Sequence, residues 1–289
     1  MENFEKFSFS ISKLRFFEFC KRAYYFRYIL SRGGWDKASP QKTREIYSLK
    51  NLIRTEQFLS EVLKESFKNY LKQGKMKKQK KEFYQIANIE FYKLWNRYYS
   101  NFLNFTDEGK NKMLLDIFYS PENSEELHFK IFNQFKQLIS LFVESTFFKE
   151  YSNTQYLYLR DLNEPEQIEI GGIPVFTSPF LLKVQADTAE VSQLFLNNFK
   201  ILKYWDISAS LLEIFTKQKT KSPKITVRSI FLIENKFLSV WASRPISEIK
   251  GFIKEKSEEI LYFENNTCNL PEVENKEKCK FCEFRKLCI

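Results

Sequence analysis

Residues 279–289, Cys279-Lys280-Phe281-Cys282-Glu283-Phe284-Arg285-Lys286-Leu287-Cys288-Ile289, set three thiols in a C-x2-C-x5-C pattern. A run this short and half charged is not expected to form core. Its thiols suit a metal ion or an iron–sulfur cluster, which takes soft thiolate ligands from a tight loop. Three ligands are one short of four. Cys20 is the best fourth, about as far away in sequence as the chain permits, and Cys268 is the only other cysteine. With Cys20 as a ligand, such a centre pins an N-terminal helix to the C-terminus and closes the chain into a ring. Structural zinc uses the same ligands, so spacing alone does not separate zinc from iron–sulfur. Free thiols are the plainest alternative. An odd cysteine count, a large chain and the lack of a signal peptide argue against a disulfide framework.

The chain has 289 residues, enough for one large domain or two small ones. With 31 Phe and 15 Tyr it can build a large aromatic core, and with only 7 Gly and 8 Pro it predicts long helices and few elaborate loops. No apolar run reaches membrane-spanning length, and a cytoplasmic location is expected. Lys and Arg number 46 against 36 Asp and Glu, a formal charge of +10. That excess suits a polyanionic partner such as nucleic acid. A lysine-rich background composition gives the same count without any function.

Working forward from the N-terminus, Ser10 to Leu30 reads as a helix capped by Ser10 or Ser12, with Leu14, Phe17, Tyr24 and Tyr28 at helical spacing. Cys20 falls inside it, and Arg15, Lys21, Arg22 and Arg27 are expected on its exposed side. Gly33-Gly34 ends it. Thr43 to Gln73 reads as a second helix, followed by the basic run Lys72 to Lys81, which is either a solvated loop or a binding segment. Glu82 to Leu103 is a third helix, and Glu125 to Phe148 a fourth that carries His128, the only histidine. A lone histidine there is read as surface or core.

After Tyr151 the period changes. Gln155 to Arg160, Gln167 to Ile170, Ile173 to Val184 and Val191 to Asn197 read as strands. Trp205 to Lys217 reads as a helix, Ile225 to Ile233 and Lys236 to Ala242 as a hairpin turned at Glu234-Asn235, and Ile246 to Phe263 as the last helix. The expected fold is therefore α+β: a helical half at 1–150, a mixed sheet flanked by helices at 151–263, and the cysteine tail at 264–289.

This order resembles the iron–sulfur branch of the PD-(D/E)XK nuclease superfamily, the RecB-type and CRISPR-associated exonucleases. The resemblance is carried by S-x-S-x-x-x-x-F-x-x-C at Ser10 to Cys20, GGWDKASPQKTREIYSLK at Gly33 to Lys50, PVFTSPF at Pro174 to Phe180, LFLNNFK at Leu194 to Lys200, and CKFCEFRKLC at the end. It spans nearly the whole chain, and the cysteine framework is its specific part. It implies that Cys20, Cys279, Cys282 and Cys288 hold a 4Fe–4S cluster, with structural zinc as the alternative.

The departures bear on activity. The resemblance implies a divalent metal, held by carboxylates, that activates water. The family histidine falls at Lys64, the first acid at Phe180 and the second at Asn198; of the motif only Lys200 is retained. Lys21 also replaces a proline that follows the first cysteine. A phenyl ring cannot bind a hard cation, and an amide is a weak substitute for a carboxylate. No catalytic divalent metal is expected. Asp187, Glu190, Asp206 and Glu213 are the acids from which a displaced site would have to be built, and surface carboxylates are their simpler reading.

Two functions follow. One is a catalytically degenerate nuclease-like protein that binds nucleic acid, DNA rather than RNA, or serves as a subunit beside a helicase or active nuclease. Its expected contacts are Arg15, Lys21, Arg22, Arg27, Lys64, Lys77, Lys78, Lys80 and Lys200. The alternative is an active metal-dependent DNA nuclease with relocated acidic ligands. A redox sensor, in which cluster oxidation changes DNA affinity, is a third.

Overall fold

The computed structural model describes residues 7–73, 79–104, 111–152, 165–185, 187–196, 203–241, 244–267, 269–273 and 276–288. The fold is mixed α+β. It forms two compact units, each gathered from three stretches of chain. Unit 1 comprises Met1–Leu14, Leu63–Ala87 and Leu138–Leu261; unit 2 comprises Arg15–Val62, Asn88–Gln137 and Tyr262–Ile289.

Unit 1 carries two sheets. In the smaller, β4 (Glu166–Ile170) and β5 (Ile173–Thr177) form a hairpin, and β1 (Phe9–Ser10) runs parallel to β5. The hairpin turns on Gly171 and Gly172, both at positive φ (61° and 80°), which glycine adopts without steric cost. The larger sheet has the order β6-β7-β8-β9, with β6 at Leu181–Gln185, β7 at Thr188–Phe195, β8 at Lys224–Ile233 and β9 at Lys236–Val240. β7 and β8 are parallel, so the link between them must cross over, and α9 (Trp205–Lys219) lies on that link. β8 and β9 turn at Glu234-Asn235, at φ 46° and 60°, where the sequence placed the hairpin.

Aromatic side chains fill the core of unit 1. The Phe67 ring lies 5.0 Å from Phe142, 5.7 Å from Phe148 and 6.0 Å from Phe180. Tyr70 stacks on Phe148, and Phe142 meets Phe237 of β9 edge-on at 5.2 Å. Such tilted pairs add about 1 kcal/mol each to the burial of the rings.

Unit 2 holds most of α1 (Ile11–Phe19), α2 (Lys21–Tyr25), a π-helical turn at Phe26–Leu30, α3 (Gln41–Lys50) and α6 (Leu115–Tyr119). β2 (Leu52–Ile53) pairs in parallel with β3 (Met113–Leu114). One core joins Ala23, Phe26, Ile46, Leu49, Leu52, Met113 and Leu115 to Cys282 and Phe284 of the tail. The tail is therefore part of a core, against the expectation from its charge. A second core sets Phe58 against Phe91, Trp95 and Tyr98. His128 packs on Trp95 at 4.6 Å, and partial burial pushes its imidazole below the usual histidine range, in keeping with a packing role.

Three expected helices are interrupted. Ser10 to Leu30 breaks at Cys20. Thr43 to Gln73 divides into α3 and α4 (Thr55–Lys72), because Leu52 and Ile53 leave the helix to pair with Met113 and Leu114. Glu125 to Phe148 divides into α7 (Ser124–Glu144) and α8 (Thr146–Ser152); the Ser145 hydroxyl donates to Phe142 O at 2.6 Å and accepts Phe148 N–H at 3.1 Å. α5 (Lys80–Leu103) and α10 (Ile246–Asn266) follow the sequence reading. The expected strand Ile173 to Val184 is two, parted at Ser178-Pro179, since proline has no N–H for a ladder. The strand expected at Gln155 to Arg160 lies outside the described residues. No described helix is long and apolar enough to cross a membrane.

Candidate metal centre

Cys20 stands between two helices rather than inside one. Its backbone is extended (φ −165°, ψ 116°), and its carbonyl accepts the Tyr24 N–H at 2.9 Å, which starts α2. The end of α1 exposes carbonyls that the helix cannot satisfy. The Lys278 ammonium donates to Phe19 O at 2.9 Å and lies over the Phe19 ring. A residue of the tail thus holds the chain open at Cys20.

The tail is a series of tight turns. Lys276–Phe281 and Arg285–Leu287 are 3-10 helices. Cys282 N–H donates to Cys279 O at 3.1 Å and Cys288 N–H to Arg285 O at 3.0 Å. A three-residue spacing at this pitch aligns side chains, so Cys279 and Cys282 share one side. The turns are pinned from outside. Arg27 pairs with Glu283 at 2.7 Å, Tyr119 Oη donates to Glu283 O at 2.8 Å, and Lys286 pairs with Glu45 at 2.8 Å. The Phe284 ring, fully buried, lies 5.5 Å from Phe26.

Cys20, Cys279, Cys282 and Cys288 are free thiols; Cys20 and Cys288 pack on the core that holds Cys282, and Cys279 is buried. Burial pushes Cys282 up to about 12, with Glu283, Cys288 and Cys20 adding to the rise against a hydrogen bond from the Phe284 N–H. Burial also raises Cys288; Arg22 opposes it, and Cys279 and Cys20 reinforce it. Among the described residues no group of three or more His, Cys, Asp or Glu side chains is placed so that it could hold a metal ion. The donor set itself, four thiols in an apolar setting, fits iron–sulfur or zinc in kind. Cys268 lies outside the described residues.

Of the positions that the resemblance implies for a nuclease site, Lys64 and Phe180 are described, and both fall in unit 1. Phe180 is buried in the aromatic core, 6.0 Å from Phe67 and 6.1 Å from Phe147. Lys64 is half-buried on α4. Asn198 and Lys200 lie outside the described residues. Three of the four acids named for a displaced site are engaged elsewhere. Glu190 accepts from Tyr151 Oη at 2.9 Å and faces Arg228 at 3.5 Å. Asp206 pairs with Arg244 and Glu213 with Lys217, each at 2.6 Å. Asp187 is exposed in the β6–β7 turn.

Arg228, on β8, had no signal in the sequence: it reads as one more polar residue in a strand. Its side chain is 4% exposed, bonded to Glu150 and Ser239, with Glu190 beside it. Burial alone would lower its pKa; Glu150 and Glu190 more than offset that. Tyr151 is driven well up by burial, with Glu190 adding to the shift. The group is a neutralised, hydrogen-bonded ion cluster of the sheet.

The basic residues expected on one exposed helix face behave differently from one another. Lys21 is exposed, over the Phe17 ring. Arg15, Arg22 and Arg27 are half-buried: Arg27 braces Glu283 and the Lys50 carbonyl, Arg22 stands beside Cys288, and burial lowers the pKa of Arg15. Helical spacing did not anticipate this, because the helix breaks at Cys20 and α2 starts in a new direction. Lys80 pairs with Glu144 at 2.5 Å, and Lys77 and Lys78 lie outside the described residues.

No protein-family model matches the chain, and no curated protein matches it.

Proposed function

We propose that the chain is a catalytically silent relative of the iron–sulfur nucleases, which binds DNA and works beside an active helicase or nuclease. The observation that supports this reading is that Cys20, from the N-terminal segment, packs on the same core as Cys282 and Cys288 of the tail. A 4Fe–4S cluster held there would supply cross-linking of those ends, as binding energy becomes folding energy. Lys278, Glu283 and Phe284 support the reading, since their contacts hold the tail against α1 and the π-helical turn. The loss of catalysis rests on Phe180, a buried ring where an acid is needed, and on the engagement of Glu190, Asp206 and Glu213 with cations.

Purification without oxygen is expected to give a brown protein with about four irons per chain. Stoichiometric zinc in its place would replace the cluster with a structural zinc site and leave the closure intact. The protein is expected to bind DNA at low salt, with affinity falling steeply as salt rises. It is expected to show no cleavage with magnesium or manganese. Cleavage that co-purifies with the chain and vanishes in Lys200→Ala would overturn the silent reading. Its loss on changing Asp187, Glu190, Asp206 or Glu213 would then identify the displaced ligand.

A further inference from the structure

Between the π-helical turn and α3 the chain makes a close-fitted loop. Gly33 has φ +78°, a conformation open to glycine. At Gly34 a Cβ would stand 2.4 Å from Tyr47 Cβ and 2.6 Å from Thr43 O, so any larger residue would force the loop off α3. Ser39 Oγ donates to Gly33 O at 2.8 Å, and the Asp36 carboxylate accepts the Ala38 N–H at 2.9 Å. This loop presents Trp35. Its indole is 54% exposed and meets Tyr47 at 6.0 Å and 67°, so it is braced on one side and open on the other.

Cations surround the same place. Lys50 Nζ lies 5.6 Å from the Tyr47 ring centroid, and Arg27 Nη1 donates to the Lys50 carbonyl at 3.0 Å. Arg27 is paired with Glu283, and Arg32 with Glu264 at 3.2 Å. Lys50 is half-buried, and among the described residues no carboxylate stands within ion-pair distance of it. Burial, then Arg27, then Arg32 push its pKa down, which marks an ammonium held among like charges. Among the described residues Arg27 and Arg32 each have a carboxylate partner and Lys50 does not, and Tyr47 touches both Lys50 and the open indole.

We infer that Trp35, Lys50 and Arg32 form a platform for single-stranded nucleic acid, with the indole stacked on one base and the two cations on neighbouring phosphates. A single strand is specified because stacking needs an unpaired base face, which a duplex keeps inside its own stack. The cations answer the phosphates without reading sequence. This inference rests on the nucleic-acid reading given above and assigns it a surface that charge and helical spacing did not indicate.

The test uses the full chain and a fluorescein-labelled oligo-dT of about twenty nucleotides, long enough to cover one such platform. Trp35→Ala is expected to weaken binding about tenfold, the effect of one lost stack, with Trp35→Phe restoring most of it. Lys50→Gln is expected to lower the salt slope by about one. A duplex of equal length is expected to bind without dependence on Trp35. Wild-type binding to oligo-dT that Trp35→Ala leaves unchanged overturns the platform and spares the nucleic-acid reading. Failure of the wild type to bind any DNA at low salt overturns that reading as well. Equal loss of duplex and single strand in Trp35→Ala refutes the single-strand assignment. Should Trp35→Ala melt at a lower temperature than the wild type, the salt slope of Lys50→Gln decides alone: an unchanged slope overturns the platform.

Discussion

Phe180 in unit 1 and Cys282 in unit 2 are both buried, and both stand where the family resemblance places a metal ligand. Around Cys282 the chain holds thiols among residues whose contacts fix the tail. Glu283 is braced by Arg27 and Tyr119, Phe284 is locked on Phe26, and Lys278 holds the gap at Cys20. Around Phe180 the side chains are hydrocarbon: Phe67 and Phe147 pack on its ring, and Phe142 and Phe148 pack on Phe67. A core of packed rings gains stability from burial and offers no polar group to a metal. The two regions differ in what burial does: around Cys282 it encloses thiols among salt bridges, and around Phe180 it encloses aromatic rings.

The largest effect is expected from Cys20→Ala. If the cysteines hold a cluster, the variant loses iron and on the order of 5 kcal/mol or more of stability, since metal-binding energies of about 10 kcal/mol appear as folding energy. Iron content and the melting transition report this together. Cys268→Ala is expected to keep its iron; the opposite pattern would make Cys268 the fourth ligand. If Cys20→Ala instead melts within about 1 kcal/mol of the wild type, the thiol is only a small apolar side chain in the cluster of Cys282 and Phe284.

Next in size is Phe180→Asp. From the sequence this change looks like the restoration of a metal ligand. In the structure it puts a carboxyl among rings, at a position 2% exposed. The expected cost is about 4 kcal/mol, from the lost phenyl and the buried polar group. Burial raises the folded-state pKa of the introduced carboxyl above its unfolded value. The folded state then binds more protons than the unfolded one between those two values, so stability falls as pH rises through that window. The variant is expected to be least destabilised near pH 4, and a urea series at several pH values checks the sign. A variant as stable as the wild type at pH 7, with tight manganese binding, would mean that the aromatic pocket opens readily and that the two regions are more alike than their packing suggests.

These contrasts also separate what the sequence discloses from what it conceals. The C-x2-C-x5-C spacing, the Glu234-Asn235 turn and the helix α9 are local patterns and were legible; the parallel pairing that makes α9 a crossover was not. The break at Cys20 was not, because Ser10 to Leu30 contains no glycine or proline. The carbonyl that makes the break tolerable is answered by Lys278, 259 residues away. Leu52 and Ile53 leave the helix period for the same kind of reason, a strand partner at Met113 and Leu114. Pro179 is a strand break that the sequence does show, although Ile173 to Val184 reads as one strand straight through it. The inward turn of Arg27 and the burial of Arg228 depend on acids, Glu283 and Glu150, that sequence spacing does not bring near. The candidate ligands could thus be named from sequence, while their supports, and the surface at Trp35, required the fold.

The smallest effect, and the one that separates a structural cation from a functional one, is expected at Lys50. Arg27 and Lys50 are joined through the Lys50 carbonyl, yet Arg27 has a carboxylate and Lys50 has the repulsion of two guanidinium groups. A lysine whose folded-state pKa lies below its unfolded value costs stability wherever both states carry the charge. That cost disappears as pH rises from the folded-state value towards 10.5, because the unfolded state then binds more protons than the folded one. Lys50→Gln is therefore expected to raise stability at pH 7, by about 0.5 kcal/mol once the screening of a half-exposed side chain is allowed for. The gain should shrink by pH 10. Melting curves of the two proteins at both pH values measure it. Arg27→Gln is expected to do the reverse and lower stability at both pH values, since it strands Glu283 at 6% exposure. If Lys50→Gln lowers stability as well, the ammonium belongs to the scaffold and the surplus charge beside Trp35 is no sign of a phosphate. If it stabilises the fold and at the same time lowers the salt slope of oligo-dT binding, the cation is kept at the expense of stability, as expected of a residue held for a ligand.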